Sequence, residues 1–363
     1  MSQASPINFT RGVPADESYP LDDLLDAARA ALEAHGAAAL RYGPSTGFAP
    51  LRDWLAAWQG VATEQVLIAN GSLQVIEFVC LALLSPGALV VTESPTYDRA
   101  LTLLRRHGMR VAGVPLEPDG PELGALERLF ARERPALFYT IPDFQNPSGA
   151  TCSGEKRRRI VALAERHGVL VLEDAPYRVL RYRGTDEPTL LALAPERTLH
   201  MSSFTKLLAP GVRMGYVLGP PPLVAKLSKA AEDTYISPGY LAEAITYEWC
   251  RRGRVEPQIA RLRALYAPRL DACLDAIDRH LPAARPTRPE GGFFLSVTLP
   301  EGVATRAVRE RAQHYALNLA DGEAFFPEGG GERFLRLPYC ALTPAEIDEG
   351  VRRLARAVAD VAR

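Results

Sequence analysis

Between residues 66 and 232 short apolar runs alternate with amphipathic stretches, and this alternation restricts the fold more than any other feature of the chain. Val66-Leu67-Ile68, Leu89-Val90-Val91, Arg110–Val114, Ala136–Thr140, Val169–Leu172, Leu199–Met201 and Gly215–Leu218 read as strands. The gaps read as helices. Among them are Tyr97–His107, closed by Gly108, and Glu155–His167, closed by Gly168, because glycine takes up the left-handed conformation that ends a helix. Strands alternating with helices predict an α/β fold with a mainly parallel seven-stranded sheet covered on both faces.

After about residue 235 the pattern changes. A long helical stretch runs from Glu256 towards His280, with Ile259, Leu262, Leu265 and Tyr266 at helical spacing. Gly291–Val297 and Phe334–Leu337 read as strands and Thr305–Tyr315 as a helix. Thr343 and Glu346 form a capping box for a last helix that runs to Val361. Upstream, Ile7–Thr10 reads as extended, one helix starts at Asp22 or Asp23, and another starts from about Leu51. The expected division is a large domain over 41–245 and a smaller α+β domain built from 1–40 and 246–363.

Lys+Arg at 42 against Asp+Glu at 43 leaves a net charge of −1, which gives no basic field for a nucleic acid or an anionic membrane. The longest apolar stretch, Val75–Leu84, is broken by Glu77 and is too short to span a bilayer. The N-terminal residues carry no signal-peptide pattern. Five scattered cysteines and six scattered histidines show no metal-ligand spacing, so no metal is expected, and a reducing cytoplasm suits the thiols.

Open α/β sheets bind ligands at the carboxyl ends of their strands. Four such ends carry unusual residues. Asn70-Gly71-Ser72 opens a helix after the first strand, where backbone N–H groups can meet a phosphate or simply be capped. Pro142–Gly149 contains Asn146-Pro147, which is also ordinary turn chemistry. Glu173-Asp174-Ala175-Pro176-Tyr177 places a carboxylate and a phenol after the fifth strand, for function or for structural pairing. The last end holds Lys206, crowded by Ser202, Ser203 and Thr205 and followed seven residues later by Arg213. A nearby cation lowers a lysine's pKa and frees its amine for covalent work, whereas a solvated loop lysine needs none of these neighbours.

Taken together, Gln145-Asn146-Pro147-Ser148-Gly149, Asp174 with Tyr177, and Ser203-Phe204-Thr205-Lys206 with Arg213 resemble the class I aminotransferases of the fold-type-I, pyridoxal-phosphate-dependent superfamily. The resemblance runs from about Ile7 to Val361 and is closest to the 2-aminoadipate and kynurenine branch. It implies that Lys206 forms the Schiff base with pyridoxal phosphate and then moves the 1,3-proton. It implies that Asp174 keeps the pyridine nitrogen protonated, and that Asn146 and Tyr177 hold the ring hydroxyl oxygen. Ser72, Ser203 and Arg213 match the phosphate cradle, assisted by the N–H groups at Ser72 and Leu73, Thr205 matches the small hydroxyl residue that adjoins the lysine, and Tyr97 matches the aromatic that stacks on the ring.

The same resemblance gives Arg336 the substrate α-carboxylate, as a bidentate clamp. It gives Tyr42 the phosphate of a neighbouring subunit in a homodimer, and Gly12 the backbone that closes over the substrate. Two departures stand out: Leu73 replaces a glutamine frequent at that position, and Arg11 replaces a small residue. Arg11 either reads a side-chain carboxylate, as of glutamate or 2-aminoadipate, or faces solvent or an interface. The implied reaction is transfer of an amino group from an L-amino acid to a 2-oxo acid, with 2-oxoglutarate and glutamate as one pair. Alternatives on the same fold are a β-lyase and a non-catalytic effector-sensing domain. The chain enters the enzyme-like segment almost at once, an arrangement that argues against a preceding DNA-binding domain.

Overall fold

The computed structural model describes residues 5–363. Its strands in chain order are β1 (Ile7–Phe9), β2 (Val66–Ala69), β3 (Leu89–Ser94), β4 (Arg110–Glu117), β5 (Gly120–Pro121), β6 (Leu137–Thr140) and β7 (Leu170–Asp174). They continue with β8 (Thr198–Ser203), β9 (Gly215–Leu218), β10 (Arg285–Pro286), β11 (Phe294–Thr298), β12 (Leu317–Leu319) and β13 (Phe334–Pro338). The main sheet has the order β2-β9-β8-β7-β6-β3-β4-β5. The pairs β8–β7, β7–β6, β6–β3 and β3–β4 are parallel, and β9 alone reverses direction between β2 and β8. All seven expected strands form, and the two-residue β5 adds an antiparallel edge that the sequence reading left out.

β2, β6, β8 and β9 are buried along their whole length, as a sheet covered by helices on both faces requires. That is why β2 and β9 read as unbroken apolar runs and not as alternating ones. A second sheet, β10-β11-β13, is antiparallel. It shares a core with the 26-residue helix Val255–His280 and the helix Pro344–Val361, through Leu270, Ile277, Leu295, Leu335 and Leu354. Ile7 and Phe9 of β1 enter this core, and β1 pairs parallel with β12, a link no local sequence pattern signals.

Two local readings shift. The first long helix is Leu21–His35, starting before Asp22 because Pro20, which cannot donate an N–H, sits at its N-cap. Gly291 and Gly292 precede β11 and do not belong to it. They lie so close to Phe144 that a Cβ on either would overlap its ring, so they serve contact between the two sheets' loops. The Thr343–Glu346 capping box forms as expected. Among the described residues no helix is long and apolar enough to cross a membrane.

Candidate active site

The carboxyl ends of β6, β7 and β8 and the start of helix Ser72–Leu83 converge on one cavity of about 120 Å³. Ten of the residues singled out above line it: Ser72, Leu73, Tyr97, Asn146, Asp174, Tyr177, Ser203, Thr205, Lys206 and Arg213. They come from six separate stretches of chain, so only the fold assembles them.

One end of the cavity is built for an anion. Ser72 begins its helix, whose first N–H groups lack intrahelical acceptors. Gly71 precedes it at φ +95°, and a Cβ there would run into the guanidinium of Arg213. Gly215 is equally constrained: a Cβ would lie 2.5 Å from Gly71 C and from Ser72 N. Two glycines therefore let β9 and the helix start approach closely, with Arg213 between them. Arg213 itself is left-handed at φ 54° and donates from Nη2 to Asn70 O at 3.1 Å. Ser203 Oγ lies 2.7 Å from Thr205 Oγ1, so two hydroxyls sit on the same rim. Asn70 N–H donates to Gln74 Oε1 at 2.8 Å, which pins the turn from inside the helix.

At the other end stand two cations. Lys206 Nζ donates to Gly12 O at 2.8 Å and lies 5.5 Å from the Phe293 ring and 6.0 Å from that of Tyr177. Burial, with the charges of Arg336 and Arg213, brings its amine down to about 8. Arg336 is 8% exposed. Its guanidinium is sandwiched between Phe294 and Phe325, 4.8 and 4.6 Å from the ring centres, donates to Asn146 Oδ1 at 2.9 Å and to Thr10 O at 2.7 Å. Gly12 and Thr10 thus meet the two cations through backbone carbonyls. Gly12 allows this because a Cβ would strike the Phe294 ring.

Asp174 closes the floor at the end of β7. Its Oδ2 accepts a 2.7 Å hydrogen bond from Tyr139, while Oδ1 is buried with no partner. Burial pushes the carboxyl up to about 7, against the Tyr139 bond and the charges of His200 and Lys206. Glu173, next in the chain, points to the other face, where it meets His200 Nδ1 at 2.8 Å and caps Leu190 and Leu191. Glu173 is therefore part of the scaffold.

The last two sequence candidates lie elsewhere. Tyr42 is 82% exposed beside Leu40 and Tyr240 and does not line the cavity. Arg11 is exposed, although its neighbour Gly12 touches Lys206.

The model of the aspartate amino-transferase family matches residues 2–362. The chain belongs to that family. It is 37% identical to the 2-aminoadipate transaminase of Thermus thermophilus, over 97% of this chain and 90% of that one. The aromatic-amino-acid aminotransferase 1 of Thermococcus litoralis is 31% identical, over 97% and 88%. The kynurenine aminotransferase of Pyrococcus horikoshii, solved with PMP, superposes with a TM-score of 0.96 at 31% identity, covering 99% of this chain and 92% of that one. These relatives place the chain in the aminoadipate and kynurenine branch of the fold-type-I aminotransferases, and the chain is a pyridoxal-phosphate-dependent transaminase.

Pyridoxal phosphate fits what the aminotransferase presents. The anion cradle matches a phosphate, the orphaned Asp174 Oδ1 matches a protonated ring nitrogen, and the depressed amine of Lys206 matches an aldehyde. Sequence reasoning missed several supporting groups. Glu93, fully buried, receives the Thr140 hydroxyl at 2.5 Å and Gln145 Nε2 at 3.0 Å, fastening the loop that carries Asn146. Phe294 and Tyr139 each sit in a strand-like run with nothing to mark them, and Phe325 falls outside every predicted element. A buried glutamate in an apolar strand was the one available signal.

Proposed function

We propose that this transaminase moves the amino group of an L-amino acid to a 2-oxo acid by a ping-pong route, with glutamate and 2-oxoglutarate as one pair. The observation that carries the reading is the convergence of Lys206 and Asp174 on one cavity with an anion cradle opposite, and with Arg336 bonded to Asn146 of its lining. When bound, pyridoxal phosphate supplies a carbonyl for capturing amines and a ring that accepts electrons. The protein's part is holding and proton transfer.

In this reading Ser72, Leu73, Ser203, Thr205 and Arg213 hold the phosphate, Tyr97 covers the ring, Asn146 and Tyr177 meet its hydroxyl oxygen, and Asp174 its nitrogen. Arg336 grips the substrate carboxylate, its planar fork already stacked between two rings and held by Asn146. That grip sets the substrate Cα hydrogen towards Lys206, whose amine takes the proton and returns it one position along. The Gly12 backbone closes this side of the site. Relatives named for 2-aminoadipate, aromatic amino acids and kynurenine suggest donors of those kinds. Arg11, exposed and next to Gly12, is our candidate for a side-chain carboxylate.

We further propose a cytoplasmic homodimer. All five cysteines are free and buried, in keeping with a reducing compartment. Tyr42 at 82% exposure, with Leu21, Leu25, Leu40 and Ile236 also exposed, forms apolar surface of the kind that subunits cover, and Tyr42 of a second copy would complete the phosphate site. The two-domain division at 41–245 against 1–40 with 246–363 is supported by Ile7 and Phe9 packing in the C-terminal core. Helix Leu21–His35, which lies against helix Tyr240–Arg251, spans the two.

The test is the absorbance of the purified protein with pyridoxal phosphate, before and after L-glutamate and then 2-oxoglutarate. A bound-cofactor band that bleaches and returns is expected, and Lys206→Ala should bind cofactor without either change. A band indifferent to glutamate would remove that donor and leave the 2-aminoadipate, aromatic and kynurenine donors to be tried.

A further inference from the structure

Tyr139 lies on β6, three residues before the loop that carries Asn146, and lines no part of the cavity. In register it faces Leu172 across β6 and β7. Leu172 and Asp174 share a face of β7, because strand side chains alternate, so the Tyr139 phenol reaches diagonally to Asp174. Tyr139 is 1% exposed and Asp174 4%. The 2.7 Å bond is thus made in a dry environment, where one donor to a carboxylate counts for far more than in water.

The two oxygens of Asp174 differ completely in their partners. Oδ2 has the phenol, and Oδ1 has none. One fixed oxygen sets the plane of the carboxyl and so aims the other. We propose that Tyr139 is a positioning residue for this transaminase, holding Asp174 ionised and oriented with Oδ1 presented to the pyridine nitrogen. The inference rests on the assignment of Asp174 to that nitrogen. Other titratable groups near Asp174 are Glu93, Tyr97, Tyr177, His200 and Lys206. Glu93 and Asp174 repel each other when both are ionised, and the charges of His200 and Lys206 favour the Asp174 carboxylate, with His200 already engaged by Glu173 on the opposite face. Tyr139 is the one side chain that hydrogen-bonds the carboxyl directly.

A core tyrosine that merely satisfies its own hydroxyl predicts a small stability change and nothing else. The discriminating experiment is a double-mutant cycle of Tyr139→Phe and Asp174→Asn on the holoenzyme. It measures the cofactor dissociation constant, by release of pyridoxal phosphate on dilution, together with kcat and KM. Tyr139→Phe keeps the ring that fills the core. It is expected to weaken cofactor binding and lower kcat by about tenfold each, with KM for the amino donor within about twofold. The acid limb of its kcat profile should move to higher pH, since the lost donor favoured the carboxylate. In the Asp174→Asn background the same change should alter binding by no more than about twofold.

Equal losses in both backgrounds would show that the phenol acts through packing and would overturn the proposal, as would unchanged binding and kcat in Tyr139→Phe. If Tyr139→Phe does not fold, Tyr139→His enters the same cycle: coupling to Asp174 supports the proposal and its absence overturns it. Wild-type protein that binds no pyridoxal phosphate would instead remove the cofactor assignment itself. Normal wild-type binding with an uncoupled Tyr139 removes this inference alone.

Discussion

Arg336 Nη1 donates to Asn146 Oδ1 at 2.9 Å, and this bond joins the middle strand residue of β13 to the loop that leaves β6. Two sheets that share no strand are thereby linked through a guanidinium, in addition to the packing of Gly291 and Gly292 on Phe144. The guanidinium also lies over the rings of Phe294 and Phe325, which restricts its movement.

Truncating Arg336 to alanine is expected to raise KM for every amino acid donor, the loss corresponding to roughly 2–5 kcal/mol of carboxylate recognition. Steady-state kinetics with glutamate and one aromatic donor would check it. Equal effects on both donors mark the shared carboxylate as the lost contact, and an unchanged KM would move the clamp to another residue.

Capture of pyridoxal phosphate by the apoprotein should depend on pH through Lys206. Burial holds the amine at about 8, below its ordinary 10.5, so the reactive neutral form dominates above that pH. Below it the neutral fraction falls tenfold per unit. Stopped-flow absorbance from about pH 6 to about pH 10.5 should show a rate that climbs and then levels near 8. A rate still climbing tenfold per unit above pH 9 would contradict a depressed amine.

Gly71→Ala is expected to weaken cofactor binding about tenfold or more. The residue sits at φ +95°, and the added methyl would displace the Arg213 guanidinium. The global fold should persist, because the change is confined to the turn before Ser72. Comparing cofactor affinity with the melting temperature of the apoprotein separates the two effects.

Asp143 is fully buried between Arg157, at 2.8 Å, and Arg178, at 3.2 Å. Both guanidiniums keep its carboxyl below the usual range despite burial. Asp143→Ala leaves Arg157, itself without exposure, as an unmatched charge, and should cost about 3–5 kcal/mol in urea unfolding. Asn146 is three residues on, so a rise in donor KM should accompany the loss. A stability change under about 1 kcal/mol would show that the pair is not holding the loop.

Lys206, Asp174 and Asn146 were legible in the sequence because each follows a recognisable strand, where an α/β sheet exposes its ligand-facing ends. The strands themselves were legible from their apolar runs. Tyr139 was not, because a tyrosine inside Leu137–Thr140 looks the same whether it packs or donates. Phe325 reaches Arg336 only through tertiary folding, and the Thr10 and Gly12 carbonyls carry no side-chain signature at all. The helix start at Leu21 is masked in the sequence because Asp22 and Asp23 resemble caps, whereas Pro20 holds the N-cap position.

Glu173 and Asp174 stand side by side with the same functional group, and the pleat of β7 sends one to the scaffold and the other to the cavity. Their division of labour is written in the parity of the strand and not in the identity of either residue. Sliding β7 by one position against β6 and β8 would exchange a carboxylate that orders backbone amides for one with a vacant oxygen. For this chain, a one-residue insertion between His167 and Leu170 is therefore more disruptive than many substitutions within the site itself.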